Sequence, residues 1–335
     1  MKARESGIDL IRCLGLLFVV GVHSFLKNGF YYEPQTGAAI WAANSFRWLF
    51  FGCNGIFMIL TGYLKSTKPW NRDYYRSLLP ILVSYLLTCV LSFPIRHFLL
   101  GEELTFLQWV EKLVTFANYG WYVEMYIGLF LLSPVINLAL ERLTEPKQLL
   151  WLAGTMVVLT ALPSITALNL IPDYWTSLYP VTYYVLGAVI RRLQPKLPRW
   201  LCLGSVAAIA MGLGLTSLLT AAETFNDGFG QGYGGFWITA MVVLLFLGLY
   251  RVRVGKPMEK TLTWMAGGCF EGYILSRLLD VWVYDLLPQW HTPEKYPLLF
   301  LCITVPIFII ALFAGKMVNL LTGLLMNRPA KTAAK

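Results

Sequence analysis

The residues with the clearest chemical potential lie in one apolar stretch near the N-terminus, residues 7–26. Asp9, Arg12 and His23 interrupt a segment that is otherwise long and apolar enough to cross a bilayer. At about 100° per residue, their eleven-residue spacing brings Arg12 and His23 within roughly 20° of one helix face, ~16 Å apart along the axis. Intramembrane charge costs roughly 2.5–3.5 kcal/mol per residue on insertion scales, so it is usually kept for a function.

We therefore expect His23 to act as a general base, with the catalytic Arg12 and a substrate-binding Asp9 on the same edge of the helix. A structural explanation stays open for the same residues. Asp9 and Arg12 would then reach the interface at the helix end, and His23 would be hydrogen-bonded at the opposite interface.

A second candidate for acid–base chemistry is Glu124, which lies early in the apolar stretch GWYVEMYIGLFLLSP. If this segment runs inward, Trp121, Tyr122 and Glu124 lie at about the depth of His23, where Trp121 and Tyr122 would contact substrate. The sequence predicts a buried Glu124 carboxylate that fixes the tautomer of His23 and raises its basicity. The alternative is that Glu124 pairs with an outer cation such as Arg47.

Two further segments carry polar residues at membrane depth. Asn54 lies in the middle of FGCNGIFMILTGYLKS, where it either contacts substrate or hydrogen-bonds between closely packed helices. Glu271 is near the middle of a later segment and has no partner that the sequence identifies, so we count it as a candidate substrate-binding residue. Arg277 and Asp280 follow at i, i+3 spacing and are able to neutralise each other.

The connection KSTKPWNRDYYRSLLP is both cationic and aromatic. Lys65, Arg72 and Arg76 suit the phosphates of a nucleotide, because charge-assisted contacts bind phosphate well and a ring is available for stacking. The same residues equally suit anionic lipid headgroups, or simply the topology of the chain.

The composition places the chain among polytopic membrane proteins. It has 335 residues, of which 57% are hydrophobic and 13% charged, against about 25% charged in soluble domains. Turn and breaker residues separate apolar segments at about 8–27, 38–64, 78–99, 119–140, 148–170, 174–191, 200–220, 232–250, 259–287 and 297–322. The sequence predicts an all-α polytopic integral membrane protein of about ten transmembrane helices, in a single domain over residues 1–335. Its six cysteines lie in apolar stretches without metal-ligand spacing, so we expect neither a zinc site nor a disulfide framework.

Loop charge orients these segments. Most of the 27 Lys and Arg residues fall in alternate connections, whereas the opposite connections hold only Lys27, Arg96, Lys112 and Lys295. The positive-inside rule then places both termini in the cytoplasm and makes the number of spans even. This placement of the +9 net charge argues against nucleic acid as a partner. Residues 101–118 are too short to span and are predicted to lie on the outer surface as an interfacial helix.

Several motifs together resemble the membrane-bound acyltransferase-3 family. They are the Arg, ten residues, His pattern of the first segment, then NGIFMILTGYL, the basic loop ending in RSLLP, GWYVEMYIGLFLLSP and PVTYYVLGAVIRR. The resemblance covers most of the chain to about residue 192 and is thinner beyond it. It implies an enzyme that takes an acyl group from cytoplasmic acyl-CoA, with His23 catalytic, Arg12 its conserved cation and Arg76 in the donor-binding loop. The implied acceptor is a sugar of a cell-surface polymer.

The chain departs from the family pattern in two places. Tyr119–Gly120–Trp121 lacks a histidine that often precedes this tryptophan, and Ser276 stands where the family commonly has another histidine. His97 and His291 fall in outer loops, which leaves His23 as the intramembrane histidine.

We therefore expect an acyltransferase that moves an acyl group from acyl-CoA to a hydroxyl of an extracytoplasmic carbohydrate or cell-envelope acceptor. The acyl group is expected to be acetyl, and no metal is expected to take part. An acyl-histidine intermediate stays open as an alternative to base catalysis. The expected location is the cell membrane, as a multi-pass protein of a bacterial cytoplasmic membrane, with a homo-oligomer possible. The rival class is a transporter that uses the same intramembrane charges, and a third is an inactive scaffold for polymer secretion.

Overall fold

The structure is a computed structural model that describes residues 5–115, 120–165, 170–221, 223–226, 232–285 and 295–326. Every regular element within these ranges is helical, as the sequence predicts. In chain order the α-helices are α1 Ser6–Lys27, α2 Gly37–Phe51, α3 Cys53–Lys65, α4 Arg72–Arg76, α5 Leu79–Leu100, α6 Phe106–Val114, α7 Trp121–Arg142, α8 Pro146–Thr160, α9 Tyr179–Leu193, α10 Arg199–Thr220, α11 Phe236–Leu249, α12 Lys256–Ala266, α13 Cys269–Asp285, α14 Tyr296–Leu299 and α15 Val305–Leu325. A π-helical turn over Phe300–Thr304 joins α14 to α15.

Within the described ranges, six helical runs are long and apolar enough to cross a membrane. They are Ser6–Lys27, Gly37–Lys65, Arg72–Leu100, Trp121–Arg142, Arg199–Thr220 and Tyr296–Leu325. The helix α11 is apolar but shorter. The architecture is that of an all-helical polytopic membrane protein. The number of ten spans, their exact ranges and the cytoplasmic position of both termini stay predictions.

The fifth and sixth apolar segments form shorter helices than the sequence suggests, because α8 and α9 have 15 residues each. The helix α8 ends at Thr160, shortly before Pro163, which has no N–H to continue the hydrogen-bond ladder. The helix α9 begins at Tyr179, after a 3-10 helix over Asp173–Leu178. A 15-residue helix is only about 22 Å long, less than the ~30 Å hydrocarbon core.

Two of the predicted segments are each divided into two helices by glycine. Gly52 separates α2 from α3, and Gly267 with Gly268 separates α12 from α13. A Cβ on Gly268 would lie 2.7 Å from the carbonyl oxygen of Leu312, so α15 packs directly on this break. Interrupted helices are tolerated at membrane depth where other protein segments cover them, and they commonly line binding sites.

The helix α1 is central to the fold. It packs against α2, α3, α11, α12, α13 and α15, and 72% of its apolar window is buried inside the protein. Asp9, Arg12 and His23 on this helix therefore face other helices instead of lipid. By contrast, only 22% of the window of Arg72–Leu100 is buried, and this run presents exposed leucine and valine side chains, as a lipid-facing helix would.

Glycine allows α3 and α9 to pack backbone against backbone. A Cβ added to Gly62 would collide with the carbonyl oxygen of Tyr184, and one added to Gly187 would collide with the carbonyl oxygen of Ile59. Close packing through small residues is the usual way in which membrane helices associate. This contact fixes the position of α3, which contributes residues to both cavities described below.

Residues 106–114 form the short helix α6, within the segment expected to be interfacial. Thr105 and Gln108 form a capping box at its start, and none of its side chains is fully buried. Trp109 packs against Phe93 of α5 with ring centroids 4.8 Å apart. The helix therefore lies against the outside of the bundle, and its position at the outer membrane interface stays a prediction.

Candidate active site

A cavity of about 550 Å³ opens between α1, α3, α5, α7, α13 and α15. We call it the inner cavity, because Arg12 and Lys65 line it at the ends of α1 and α3 that the loop charges predict to be cytoplasmic. Glu271 and Tyr122 also line it, so the structure brings together four residues that the sequence singles out. Its volume suits a small-molecule or cofactor site.

Asp9 holds Arg12 in place at this cavity. The Arg12 Nη1 atom donates to Asp9 Oδ1 at 3.0 Å, and the Thr263 hydroxyl donates to Asp9 Oδ2 at 3.0 Å. Asp9 is buried and is not among the residues that line the cavity, whereas the Arg12 side chain remains 31% exposed. Asp9 therefore orients the guanidinium, and the substrate contact expected of Asp9 is not formed by the cavity as it stands.

Glu271 has the partners that the sequence does not identify. The Ser84 hydroxyl donates to Glu271 Oε1 at 2.5 Å, and the Asn319 amide donates to the same oxygen at 2.9 Å. Thr322 extends this network by donating to Ser84 at 3.3 Å. These residues come from α5, α13 and α15, so the buried carboxylate joins three helices at the wall of the cavity. In the sequence, the available sign of these partners was that Ser84, Asn319 and Thr322 are polar residues within otherwise apolar segments.

The cationic connection after α3 lies next to the inner cavity. The Lys65 ammonium lies 4.7 Å from the ring centroid of Phe130 and 3.4 Å from the Ser77 hydroxyl. Arg72 and Arg76, at the two ends of α4, are exposed and are not among the residues that line the cavity. Of the three cations expected to bind the donor, only Lys65 reaches the cavity wall.

A second cavity, of about 240 Å³, surrounds His23. We call it the outer cavity, because it lies at the opposite end of α1 from Arg12. Asn54, Trp121 and Arg277 line it, as does Tyr233. The rings of Trp121 and Tyr233 stack with centroids 5.6 Å apart and form an aromatic wall.

The carboxylate that contacts His23 is Asp280 of α13. The His23 Nδ1 atom lies 3.1 Å from Asp280 Oδ2, and the Asp280 side chain is fully buried. The direct pairing of Arg277 with Asp280, which the sequence allows, is absent from the ion pairs of the described residues. Arg277 lines the outer cavity instead.

The predicted burial of Glu124 and its pairing with His23 are wrong. The Glu124 side chain is exposed at the first turn of α7. Because residues 122 and 124 are about 200° apart on a helix, the rotation that buries Tyr122 turns Glu124 away from the bundle. Arg47, the alternative partner, lies over aromatic rings and has its guanidinium 4.1 Å from the Trp48 ring centroid.

Asn54 occupies a notable position in the outer cavity. It is only 3% exposed, and its amide nitrogen makes no hydrogen bond with any residue that the structure describes. A buried donor without a partner is unfavourable by roughly 1–3 kcal/mol, so such groups commonly serve a ligand. The hydrogen bond between helices that the sequence allows for Asn54 is therefore not made by this nitrogen among the described residues, although Tyr233 lies beside Asn54 in the same cavity.

Of the two positions that depart from the family pattern, the structure describes Ser276 but not Tyr119. Ser276 is fully buried, and its hydroxyl donates to the carbonyl oxygen of Tyr273 at 2.8 Å, so it fills space within α13. Tyr119 and His291 lie outside the described residues. His97, at the outer end of α5, contacts the carbonyl oxygen of Glu102 at 3.3 Å and lines neither cavity.

Two cavities lie along α1, one lined by cations and one built around an imidazole–carboxylate pair, in an all-helical membrane protein. The model of the acyltransferase-3 family, described as an acyltransferase domain, matches residues 5–316. The chain therefore belongs to this family, and it is an acyltransferase and a multi-pass membrane protein. No curated protein and no solved structure gives a significant match to it.

Proposed function

We propose that the protein transfers an acyl group, acetyl in the simplest case, from acyl-CoA in the inner cavity to a hydroxyl group in the outer cavity. The acceptor would be an extracytoplasmic carbohydrate or another cell-envelope molecule, and the enzyme would lie in a bacterial cytoplasmic membrane. The observation that carries the proposal is the His23–Asp280 pair at one end of α1, with Arg12 held by Asp9 toward the other end.

The donor would bind through its phosphates at the cytoplasmic side. Arg12 and Lys65 at the cavity wall offer charge-assisted hydrogen bonds, and the guanidinium is able to contact two phosphate oxygens at once. Arg72 and Arg76 are exposed nearby and would contact the part of CoA that extends beyond the cavity. The thioester end of the donor would then point along α1 toward His23.

His23 would act as the general base. With Asp280 accepting a hydrogen bond from Nδ1–H, the other ring nitrogen Nε2 is left to accept the proton of the acceptor hydroxyl. The hydroxyl oxygen attacks the thioester carbonyl, so a C–O bond forms and the C–S bond breaks. The CoA thiolate leaves and takes the proton from the imidazolium. The buried Asp280 carboxylate stabilises that imidazolium while it exists.

The developing oxyanion needs a hydrogen-bond donor, and Asn54 offers one. Its amide nitrogen is buried in the outer cavity without a partner among the described residues. Side-chain amides fill this role in acyl transfer, where loss of one donor reduces kcat about 10²–10³-fold. Trp121 and Tyr233 would hold the acceptor against their stacked rings.

The test is an assay with purified protein in detergent and acetyl-CoA labelled in the acetyl group. We expect release of free CoA, and transfer of label to a carbohydrate fraction of the cell envelope when that fraction is added. His23→Ala protein, shown to be folded, serves as the control. Folded parental protein that neither releases CoA nor transfers label would overturn the proposal. The transporter alternative would then be tested by uptake into liposomes, although nothing in the family match favours it.

A further inference from the structure

The inner and outer cavities meet at a single side chain of the described residues, Tyr273 of α13, which lines both. Tyr273 packs edge-on against Tyr122 of α7, with ring centroids 5.6 Å apart and ring planes at 67°. Tyr122 in turn packs against Phe57 of α3, at 5.7 Å and 60°. We refer to Phe57, Tyr122 and Tyr273 as the aromatic partition.

The partition lies across the path that the proposed reaction requires. The cations that would hold the donor phosphates line the inner cavity, whereas His23 lines the outer one. The acyl carbon must therefore pass the partition to reach the base. Its three rings come from three different helices, and the two tyrosines are less than a tenth exposed, so the rings hold one another in place.

We propose that the aromatic partition determines the length of acyl group that the enzyme transfers, with Tyr122 and Tyr273 as its specificity-determining residues. This inference rests on the proposed function. A short acyl group passes between interlocked rings with little displacement, whereas each added methylene must push a well-packed ring out of place. The outer cavity, at about 240 Å³, must also accommodate the acceptor, which leaves little room for a longer chain.

The parental protein provides the first test, without any substitution. Rates of CoA release would be measured with acetyl-, propionyl-, butyryl- and hexanoyl-CoA, together with the Kd of each donor. We expect kcat/KM to fall several-fold for each added methylene, while donor Kd changes little, because the phosphates bind elsewhere. Equal kcat/KM values for acetyl- and hexanoyl-CoA would overturn the proposal.

Substitution then identifies the residues responsible. Tyr273→Leu and Tyr122→Leu remove a ring from the partition and should raise the butyryl-to-acetyl ratio of kcat/KM about tenfold. Tyr273→Phe keeps the ring and should retain the parental ratio. Tyr126→Leu is the matched control, because Tyr126 lines the inner cavity as Tyr122 does, but its ring packs against Phe130 and not, among the described ring contacts, against the aromatic partition. It should affect both donors alike.

The outcomes separate this inference from the proposed function. If the parental protein releases CoA from none of the four donors, the proposed function fails and the inference fails with it. If acetyl-CoA is consumed but both folded leucine variants keep the parental ratio, the inference alone is wrong. The same holds if Tyr126→Leu raises the ratio as much as they do. If neither leucine variant folds, the parental chain-length series decides.

Discussion

His23 of α1 and Asp280 of α13 are joined by a contact of 3.1 Å between Nδ1 and Oδ2, across 257 positions of sequence. The carboxylate is fully buried, whereas the imidazole is 17% exposed and lines the outer cavity. One end of the pair is therefore fixed in the protein interior and the other is open to a ligand. This is the arrangement that a general base needs, because the buried acid orients the ring while the ring meets the substrate.

His23→Ala should reduce acyl transfer by about 10²–10⁴-fold, because the acceptor hydroxyl loses its general base. Release of CoA from acetyl-CoA measures the rate, and thermal unfolding in detergent verifies that the variant is folded. His97→Ala is the matched control, since this histidine lies outside both cavities, and it should keep parental activity. A folded His23→Ala protein with more than about a tenth of parental activity would exclude His23 as the base.

Asp280→Asn should lower kcat more than tenfold while leaving the acyl-CoA KM near the parental value. The amide keeps the shape of the side chain but is unable to stabilise the imidazolium with a negative charge. Glu124→Gln is the matched control, because Glu124 is exposed at the end of α7, and its kcat should be parental. The pairing is refuted if Asp280→Asn retains parental kcat, or if Glu124→Gln shows the greater loss.

The sequence predicts the parts of the site that lie on one helix. Helical periodicity alone places Arg12 and His23 on one face of a helix, and in the structure the two residues line cavities toward opposite ends of α1. Asp280 could not be chosen in the same way, because its contact depends on which helices are neighbours and on how α13 is rotated. The wrong prediction for Glu124 has the same cause, because the sequence does not give the rotation of α7 about its axis. A rotation by half a turn would bury Glu124 and expose Tyr122.

In the fold, too, features of single segments are predictable from the sequence, whereas features that depend on neighbouring helices are not. Apolar length and charge locate most of the helices to within a few residues, because burial in a bilayer demands continuous apolar sequence. The exception is the fifth segment, where α8 ends at Thr160, ten residues before the predicted end. The breaks at Gly52 and at Gly267–Gly268 are not visible in hydropathy, since glycine is tolerated within membrane helices. They are set by packing against neighbouring helices, which no single segment records.

Asn54→Ala should reduce kcat by about 10²-fold without lowering the melting temperature. Its amide nitrogen has no partner among the described residues, so its removal breaks no hydrogen bond that stabilises the fold, whereas the oxyanion loses a donor. Steady-state kinetics and thermal unfolding of the same preparation measure the two effects. A variant that is destabilised but retains parental kcat would assign Asn54 to structure instead.

The control for Asn54 is Asn137→Ala, which removes an amide that is fully engaged. The Asn137 nitrogen donates to the carbonyl oxygen of Lys65 at 3.0 Å, and its oxygen accepts from the Tyr184 hydroxyl at 2.8 Å. Loss of such a buried amide should destabilise the protein by roughly 1–3 kcal/mol. A lowered melting temperature for Asn137→Ala, beside an unchanged one for Asn54→Ala, would separate a structural amide from a ligand-binding one.

Lys65→Gln should weaken CoA binding about ten- to a hundredfold, because one charge-assisted contact at the cavity wall is worth roughly 1.5–3 kcal/mol. The Arg72→Ala/Arg76→Ala pair should weaken it less, since both side chains are largely exposed and screened by salt. Calorimetric titration with CoA measures the affinities. Arg253→Gln, an exposed cation that does not line the inner cavity, is the control. Unchanged affinity in Lys65→Gln would remove Lys65 from the donor site.

Gly62→Ala should lower the melting temperature substantially, by an amount that corresponds to about 1–3 kcal/mol of overpacking. The added methyl group would overlap the carbonyl oxygen of Tyr184, so α3 and α9 would have to separate. Gly204→Ala in α10 is the control, because no atom lies within 4 Å of the position that its Cβ would occupy, and alanine there should leave stability unchanged or raise it slightly. Since α3 carries Asn54 and Lys65, a folded Gly62→Ala protein should also lose activity. Equal melting temperatures for the two variants would show that α3 and α9 do not pack as closely as described.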